Sequence, residues 1–267
     1  NMEALAMLEE RIIEELAGEL VKAENERIPI QPITEMYPEI TTDDAYKIQL
    51  KVIKIKEERG EKVVGKKIGL TSKQMQELLG VYEPDYGHIM DVMMCFEEDS
   101  IDTSQLIQPK VEAEIAFILN ESLEGPGVTV AKVLKATKGV IPAIEVIDSR
   151  IKDWKIKIQD TVADNASIGR VVLGGRITPV ENLDLRLVGM VFKKNGKIIS
   201  TSAGAAVLGN PAQAVAWLAN KLADYGVKLE AGEIILSGSL IPAVDVKPGD
   251  YVEAEFNGLG LVSTYFA

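Results

Sequence analysis

The sequence predicts an α+β protein rich in strands: a curled mixed β-sheet core with helices outside it and a smaller helical region at the N-terminus. From Pro109 onward the chain breaks into short apolar runs of strand length, punctuated by Gly and Pro, and these outnumber the helical runs. Many are joined by short turns, with Lys194-Asn195-Gly196 a strong hairpin signal. Neither a Gly-x-Gly-x-x-Gly fingerprint nor a phosphate loop follows any strand, and no repeat period emerges, which argues against a doubly wound sheet. With 267 residues, 46% of them hydrophobic, the chain can bury a sizeable core.

In chain order, Leu5, Leu8, Ile12, Leu16 and Leu20 recur at helical spacing and predict a helix over roughly 3–23. A prolyl connection follows, and a second helix is expected from Thr42 to about Glu58, with Asp43 and Asp44 in its first turn and Gly60 as its stop. Residues 1–62 are therefore read as the helical region and 63–267 as the mixed β core. Val63–Leu70 reads as a strand feeding a short helix to Leu79, and the Gly, Pro and Asp content of 80–99 suits a loop or lid over a site. Thr129–Thr137 is a short helix. Strands are expected at Val140–Ile147, Arg170–Leu173, Leu187–Phe192, Lys197–Ser200, Glu233–Ser237, Tyr251–Phe256 and Leu261–Tyr265. Asn210 caps a helix from Pro211 to Asp224, which Gly226 ends.

Chemistry concentrates in the alternating run 111–119. A strand there puts Glu112 and Glu114 on one face and Val111, Ala113, Ile115, Phe117 and Leu119 on the other. Beyond the two carboxylates their own face turns apolar at Ala116 and Ile118. Glu253 and Glu255 repeat the spacing, but they sit between Pro248-Gly249-Asp250 and Asn257-Gly258, as in a short hairpin with one wet side. Glu145 is a lone carboxylate in a second apolar strand, with Asp148 its nearest rival. Carboxylates converging from such strands need shared protons or a hard divalent cation, Mg²⁺ or Mn²⁺.

The 41 acidic against 29 basic residues, a formal charge of −12, disfavour nonspecific nucleic-acid binding. A single cysteine, Cys95, excludes an intrachain disulfide and a single histidine, His88, excludes a histidine-rich zinc site. No leader-like or membrane-spanning stretch is apparent, so the expectation is a cytoplasmic protein without membrane partners.

The ordered stretches Gly65-Lys-Lys-Ile-Gly-Leu-Thr-Ser-Lys73, Pro84-Asp-Tyr-Gly87, Gln108-Pro-Lys-Val-Glu-Ala-Glu-Ile-Ala-Phe117, Ile144-Glu-Val-Ile-Asp-Ser-Arg150, Asp160-Thr-Val-Ala-Asp-Asn-Ala-Ser167, Gly204-Ala-Ala-Val-Leu-Gly209 and Ile235-Leu-Ser-Gly-Ser-Leu240 carry a resemblance. They resemble the 2-hydroxypenta-2,4-dienoate hydratase (2-oxopent-4-enoate hydratase) family, which shares the fold of the fumarylacetoacetate hydrolase superfamily. The resemblance implies a metal-dependent hydratase of aromatic meta-cleavage degradation acting on a small anionic dienoate. It implies metal ligation by Glu112, Glu114 and Glu145, and it raises Lys67 above its neighbour Lys66, which is read as a surface lysine.

From parity alone Lys67 has even odds of facing a site, and Asp85 reads equally as a turn residue; the resemblance places both beside the cleft as catalytic candidates. Asp91, Tyr82 and Tyr86 are alternatives in the same segment. Ser237 and Ser239, with Asn165 and Ser167, are substrate-binding candidates for which turn hydrogen bonding is the alternative. Lys155 and Lys157 are pocket cations or one face of a half-exposed strand. Decarboxylation of 4-oxalocrotonate by the sister enzyme, a hydratase for a dicarboxylic dienoate, and a metal-stabilised protein without turnover are the competing readings. Lys66-Lys67-Ile68, Glu83-Pro84-Asp85-Tyr86 and Ile151–Gln159 look like the hydratase pattern. The resemblance further implies a homo-oligomer built on pentameric rings, with a 4-oxalocrotonate decarboxylase complex as an optional partner.

Overall fold

The computed structural model describes residues 8–267, so the predicted helical start at 3–7 lies outside the described residues. Helix α1 (Glu10–Glu26) ends where Arg27 turns left-handed, with φ 57°, and its N–H closes on Ala23 O. A short α2 (Ile33–Met36) leads to α3 (Thr42–Glu58), whose first turn is closed by a reciprocal capping box between Thr41 and Asp44. Ile13, Leu16 and Leu20 of α1 and Ile48 and Val52 of α3 are buried, and these stripes pack the two helices together.

The core elements follow: β1 (Val63–Gly69), α4 (Lys73–Leu79), β2 (Asp85–Met90), β3 (Met94–Cys95), β4 (Ser100–Ile101), β5 (Lys110–Leu119), α5 (Val130–Ala136), β6 (Thr137–Ile147), α6 (Ile158–Ala163), β7 (Ile168–Leu173), β8 (Gly189–Lys194), β9 (Lys197–Ala203), α7 (Pro211–Ala223), β10 (Ile234–Ser239), β11 (Val244–Asp245), β12 (Tyr251–Phe256) and β13 (Gly260–Phe266). One mixed sheet runs β2-β1-β10-β5-β6-β7-β3, with β11 beside β5, and a second runs β4-β13-β12-β8-β9. The architecture is the curled, strand-rich α+β core with peripheral helices that the strand count predicts. α7 has Asn210 as its cap and lays buried Val215, Leu218 and Leu222 toward α5 and β10. Among the described residues no helix is long and apolar enough to cross a membrane.

Three local expectations are corrected. Lys66 is not a surface lysine: it is 5% exposed and paired with Glu233, a partner far away in sequence. Residues 151–158 do not form an alternating strand, because Asp153 and Trp154 take φ values of 57° and 54° and the Asp160 carboxylate accepts from Lys157 N to start α6. Lys155 and Lys157 are consequently exposed. Within 80–99, residues 85–90 form strand β2 of the main sheet.

His88 of β2 shows how α3 is fastened to this sheet. The Gln49 side chain donates its amide N–H groups to Tyr86 O at 3.0 Å and Val162 O at 2.8 Å, leaving Oε1 to accept from His88 Nδ1 at 2.9 Å. Burial, and then the charge of Lys66, lower the His88 pKa to about 3. The unfolded chain takes up this proton from about pH 6.5 downward and the folded one does not, so stability is lost as pH falls through that window. Urea midpoints at pH 7.5 and 5.0 should show an imidazole-dependent loss of about 2 kcal/mol in the parent. His88→Gln should lack that share, and equal pH dependence in the two proteins would contradict a neutral buried imidazole.

Candidate functional site

Sheet register assembles the site. In the antiparallel β5–β6 pair Glu112 lies opposite Glu145 and Glu114 opposite Ala143. Across the other side Lys67 opposes Leu236, which opposes Ala116. Opposed residues share a face, so Lys67 stands on the face of Glu112 and Glu114, and the parity that the sequence leaves open is resolved. Asp85 opposes Gly69 and completes the group from β2.

Glycines make the room. A Cβ at Gly69 would lie 2.1 Å from Asp85 Oδ1, and one at Gly87 2.5 Å from the Asn165 carbonyl oxygen. This edge of the sheet therefore carries no hydrophobic pattern by which its face could be read, which is why sequence periodicity misses it. A third glycine serves differently. The register shifts between Leu236 and Ser239, and there Gly238, at φ 122°, donates its N–H to Glu114 Oε2 at 2.9 Å. Thr71 fills the space a side chain at 238 would need.

Oxygen atoms of Glu112, Glu114 and Glu145 lie within 4.8 Å of one another. Glu114 is 1% exposed, Glu145 0% and Lys67 4%, while Glu112 is half-buried. Lys67 Nζ sits 3.1 Å from Glu145 Oε1 and donates to Ala166 O at 2.9 Å. Apart from the Lys67 ammonium beside Glu145 and the backbone N–H groups of Gly69 and Asp85 near the Asp85 carboxylate, no well-formed hydrogen bond among the described residues reaches the carboxylate oxygens of Glu145 or Asp85. Burial, and then the charge on Glu145, push Glu112 up to about 8, and the same causes push Glu114 well above the ordinary carboxylate range. Burial likewise raises Asp85, against the pull of Lys67. For Lys67 burial acts downward, but Glu145, Glu112, Asp85 and Glu114 outweigh it, and the lysine is raised and held as an ammonium.

One ammonium among four carboxylates leaves excess negative charge in a buried, all-oxygen donor set. That set suits a hard divalent cation, and Glu112, Glu114 and Glu145 could hold it. Asp148 takes no part: its carboxylate accepts from Ile107 N and Gln108 N. Glu253 is a surface partner of Lys193 at 3.0 Å.

The polar candidates divide. Ser237 Oγ donates to Ile115 O and Ser239 Oγ to Ile241 O, so both hydroxyls brace the strand corner. The Asn165 amide spans the backbone of His88, accepting from its N at 2.7 Å and donating to its O at 2.9 Å. Ser167 Oγ is buried without a hydrogen-bond partner among the described residues. The Ala166 carbonyl, Arg150 and Asp164 are structural participants that sequence reasoning gave no role, although the quoted stretches 144–150 and 160–167 contain them.

The folded-state pKa of Glu112 lies above its unfolded value, so in the metal-free protein its contribution is full below about pH 4.5 and is lost as pH rises toward 8. Glu112→Gln mimics the protonated form. Without divalent cation it should raise Tm at pH 8 by a few degrees while weakening Mn²⁺ binding by ~10-fold or more. Calorimetry with and without Mn²⁺ checks both effects. A variant that keeps its Mn²⁺ affinity would remove Glu112 from the ligand set.

Residues 95–266 match the family model described as fumarylacetoacetate (FAA) hydrolase C-terminal. The chain is 46% identical over 263 residues to a 2-hydroxyhexa-2,4-dienoate hydratase of Comamonas testosteroni, covering 97% of this chain and 99% of that protein. It is 50% identical over 221 residues to a 2-hydroxypent-2,4-dienoate hydratase of Pseudomonas putida, covering 82% of this chain and all of that one. Among solved structures, 4-oxalocrotonate decarboxylase from Pseudomonas putida G7, complexed with magnesium and adipate, superposes with a TM-score of 0.95 at 42% identity, over 97% of this chain and 99% of that one. The chain belongs to the fumarylacetoacetate hydrolase superfamily and is closely related to its 2-oxopent-4-enoate and 2-hydroxyhexa-2,4-dienoate hydratases.

Proposed function

We propose that the chain is a divalent-metal-dependent lyase that stabilises the enolate of a short 2-oxo acid, and that its reaction is hydration of 2-hydroxypenta-2,4-dienoate to 4-hydroxy-2-oxopentanoate. The observation that carries the proposal is the buried carboxylate triad with Lys67 held as an ammonium beside it. Mg²⁺ or Mn²⁺ bound by Glu112, Glu114 and Glu145 would supply Lewis-acid polarisation of the substrate's C2 oxygen and carboxylate.

The chain's own groups account for the rest. The dienol must lose its O2 proton and gain one at C5; water then adds at C4, and C3 takes the last proton. Negative charge develops on the C2 oxygen, where a fixed Lys67 ammonium stabilises it without reorganising. Asp85, buried and raised in pKa, would carry protons between oxygen and carbon. Gly69 and Gly87 let Asp85 and the Asn165 carbonyl approach β1 and β2 closely, and the Ser167 hydroxyl, without a partner among the described residues, would offer a donor to an anionic group. The hydroxyls of Ser237 and Ser239 brace the Gly238 N–H that orients Glu114.

A second reading has its own support. A solved structure that covers nearly the whole chain is of a 4-oxalocrotonate decarboxylase, and loss of CO₂ leaves its electron pair in the same kind of enolate. One assay separates the two. With Mn²⁺ or Mg²⁺, hydration predicts loss of dienoate absorbance with solvent ¹⁸O in the product and no CO₂ from 4-oxalocrotonate; the reverse pattern assigns the decarboxylase. Retained turnover in EDTA would overturn the metal-dependent reading for both. Lys67→Met should lower kcat by about 10²- to 10³-fold, while Mn²⁺ binds at least as tightly because a competing cation has left the cluster. Kinetics beside Mn²⁺ titration tests that pairing.

A further inference from the structure

The carbonyl that holds Lys67 belongs to an unusual turn. Asn165, Ala166 and Ser167 have φ values of 52°, 50° and 56°. Consecutive L residues in the left-handed region cost roughly 1–2 kcal/mol each, so the surroundings must impose the conformation. On one side the Asn165 amide clamps the His88 backbone. On the other stands Arg150, 5% exposed, against Asp164, 2% exposed.

The Arg150 guanidinium donates from Nε to Asp164 Oδ1 at 2.6 Å and from Nη2 to Asp164 O at 2.7 Å. Nη1 donates to Asp148 O and to Ile168 O at 2.8 Å. Backbone N of Arg150 adds a bond to Asp164 Oδ2 at 2.9 Å. One side chain thus ties the residue before the turn, the residue after it, and the segment just beyond the β6 strand that carries Glu145. Across a narrow cleft the pair faces the Glu24–Lys56 ion pair of α1 and α3. A buried pair of this kind adds little net stability over apolar filler, so its consequence is geometric.

We infer that Arg150 and Asp164 are positioning residues: they impose the left-handed turn whose Ala166 carbonyl, together with Glu145, fixes the Lys67 ammonium over the carboxylate cluster. The kinetic consequence rests on the enolate reading given under the proposed function; the placement of Lys67 does not.

Two variants test this. Ala166→Gly tolerates the left-handed region and so keeps the fold, but it frees the carbonyl to move. Asp164→Asn keeps volume and removes the charge that orients Arg150. In both, kcat should fall about 10- to 100-fold, the scale expected for a misplacement of about 1 Å. KM and Mn²⁺ affinity should stay within about threefold, well inside one tenfold step of binding. Reductive methylation of Lys67, followed by peptide mass spectrometry, should be faster than in the parent.

Unchanged kcat and methylation in folded variants would overturn the inference. So would a parallel loss of Mn²⁺ affinity and kcat, which would mean that the network supports the whole site rather than the lysine. If Asp164→Asn does not fold, Arg150→Lys, which keeps the charge but loses the forked donors to Asp164 and Ile168, takes its place with the same expected and overturning results. If the parent turns over no dienoate or 4-oxalocrotonate, the functional reading fails, and the methylation rate by itself decides the positioning of Lys67.

Discussion

Buried negative charge is the constraint on which the rest of this structure depends. Glu112, Glu114, Glu145 and Asp85 face one another from three strands with Lys67 as the cation among them. At an effective dielectric of about 20, two unit charges about 4 Å apart interact by about 4 kcal/mol. One lysine attracting several carboxylates cannot offset both their mutual repulsion and their desolvation. The metal-free site responds by raising carboxyl pKa values, so that protons stand where a divalent cation would otherwise sit. Under the proposed function the same arrangement would give the site its chemistry, as a buried receptacle for positive charge with an ammonium already among its carboxylates.

Much of this was legible in the sequence where the signal was local. Strand β5 announces itself through strict alternation, and the contrast between Glu112–Glu114 and Glu253–Glu255 follows from what comes next on each face. Helices α3 and α7 carry their caps in sequence at Thr41 and Asn210. Signals that depend on distant partners were not legible. Lys66 looks like a surface lysine until Glu233, on the approach to a neighbouring strand, is folded against it. The face of Lys67 is undetermined by pattern because its strand neighbours are glycines, chosen for close approach and not for burial. At 151–158 the alternation is real but Asp153 and Trp154 break it with left-handed backbone, which no apolar/polar period encodes.

The resemblance and the structure meet at the level of reaction class. Hydration of a dienoate and decarboxylation of a 4-oxalocrotonate both lead through charge on a C2 oxygen, and under the proposed function a triad with an ammonium beside it would serve each. Relatives with either activity can then share the frame, as the 0.95 TM-score to a decarboxylase and the 46–50% identity to hydratases indicate. The choice between reactions belongs to what sits at the far end of the substrate: a group that delivers water to C4, or a pocket that strips and releases a carboxylate. Both reactions would draw alike on the carboxylate triad, so the choice between them falls to other side chains.

This division also explains why the helical N-terminal layer matters to a site built on strands. The sheet alone can oppose Glu112 to Glu145, because strand register does so without help. It cannot by itself hold three residues in left-handed backbone beside β2. Arg150 and Asp164 bond on either side of that turn, Glu24 and Lys56 of α1 and α3 line the polar cleft behind them, and Gln49 of α3 fastens His88 and the end of α6. The helices therefore contribute order where the sheet has no periodic means of supplying it. The carboxylate cluster depends on register, and the inferred placement of the ammonium depends on the turn that Arg150 and Asp164 hold.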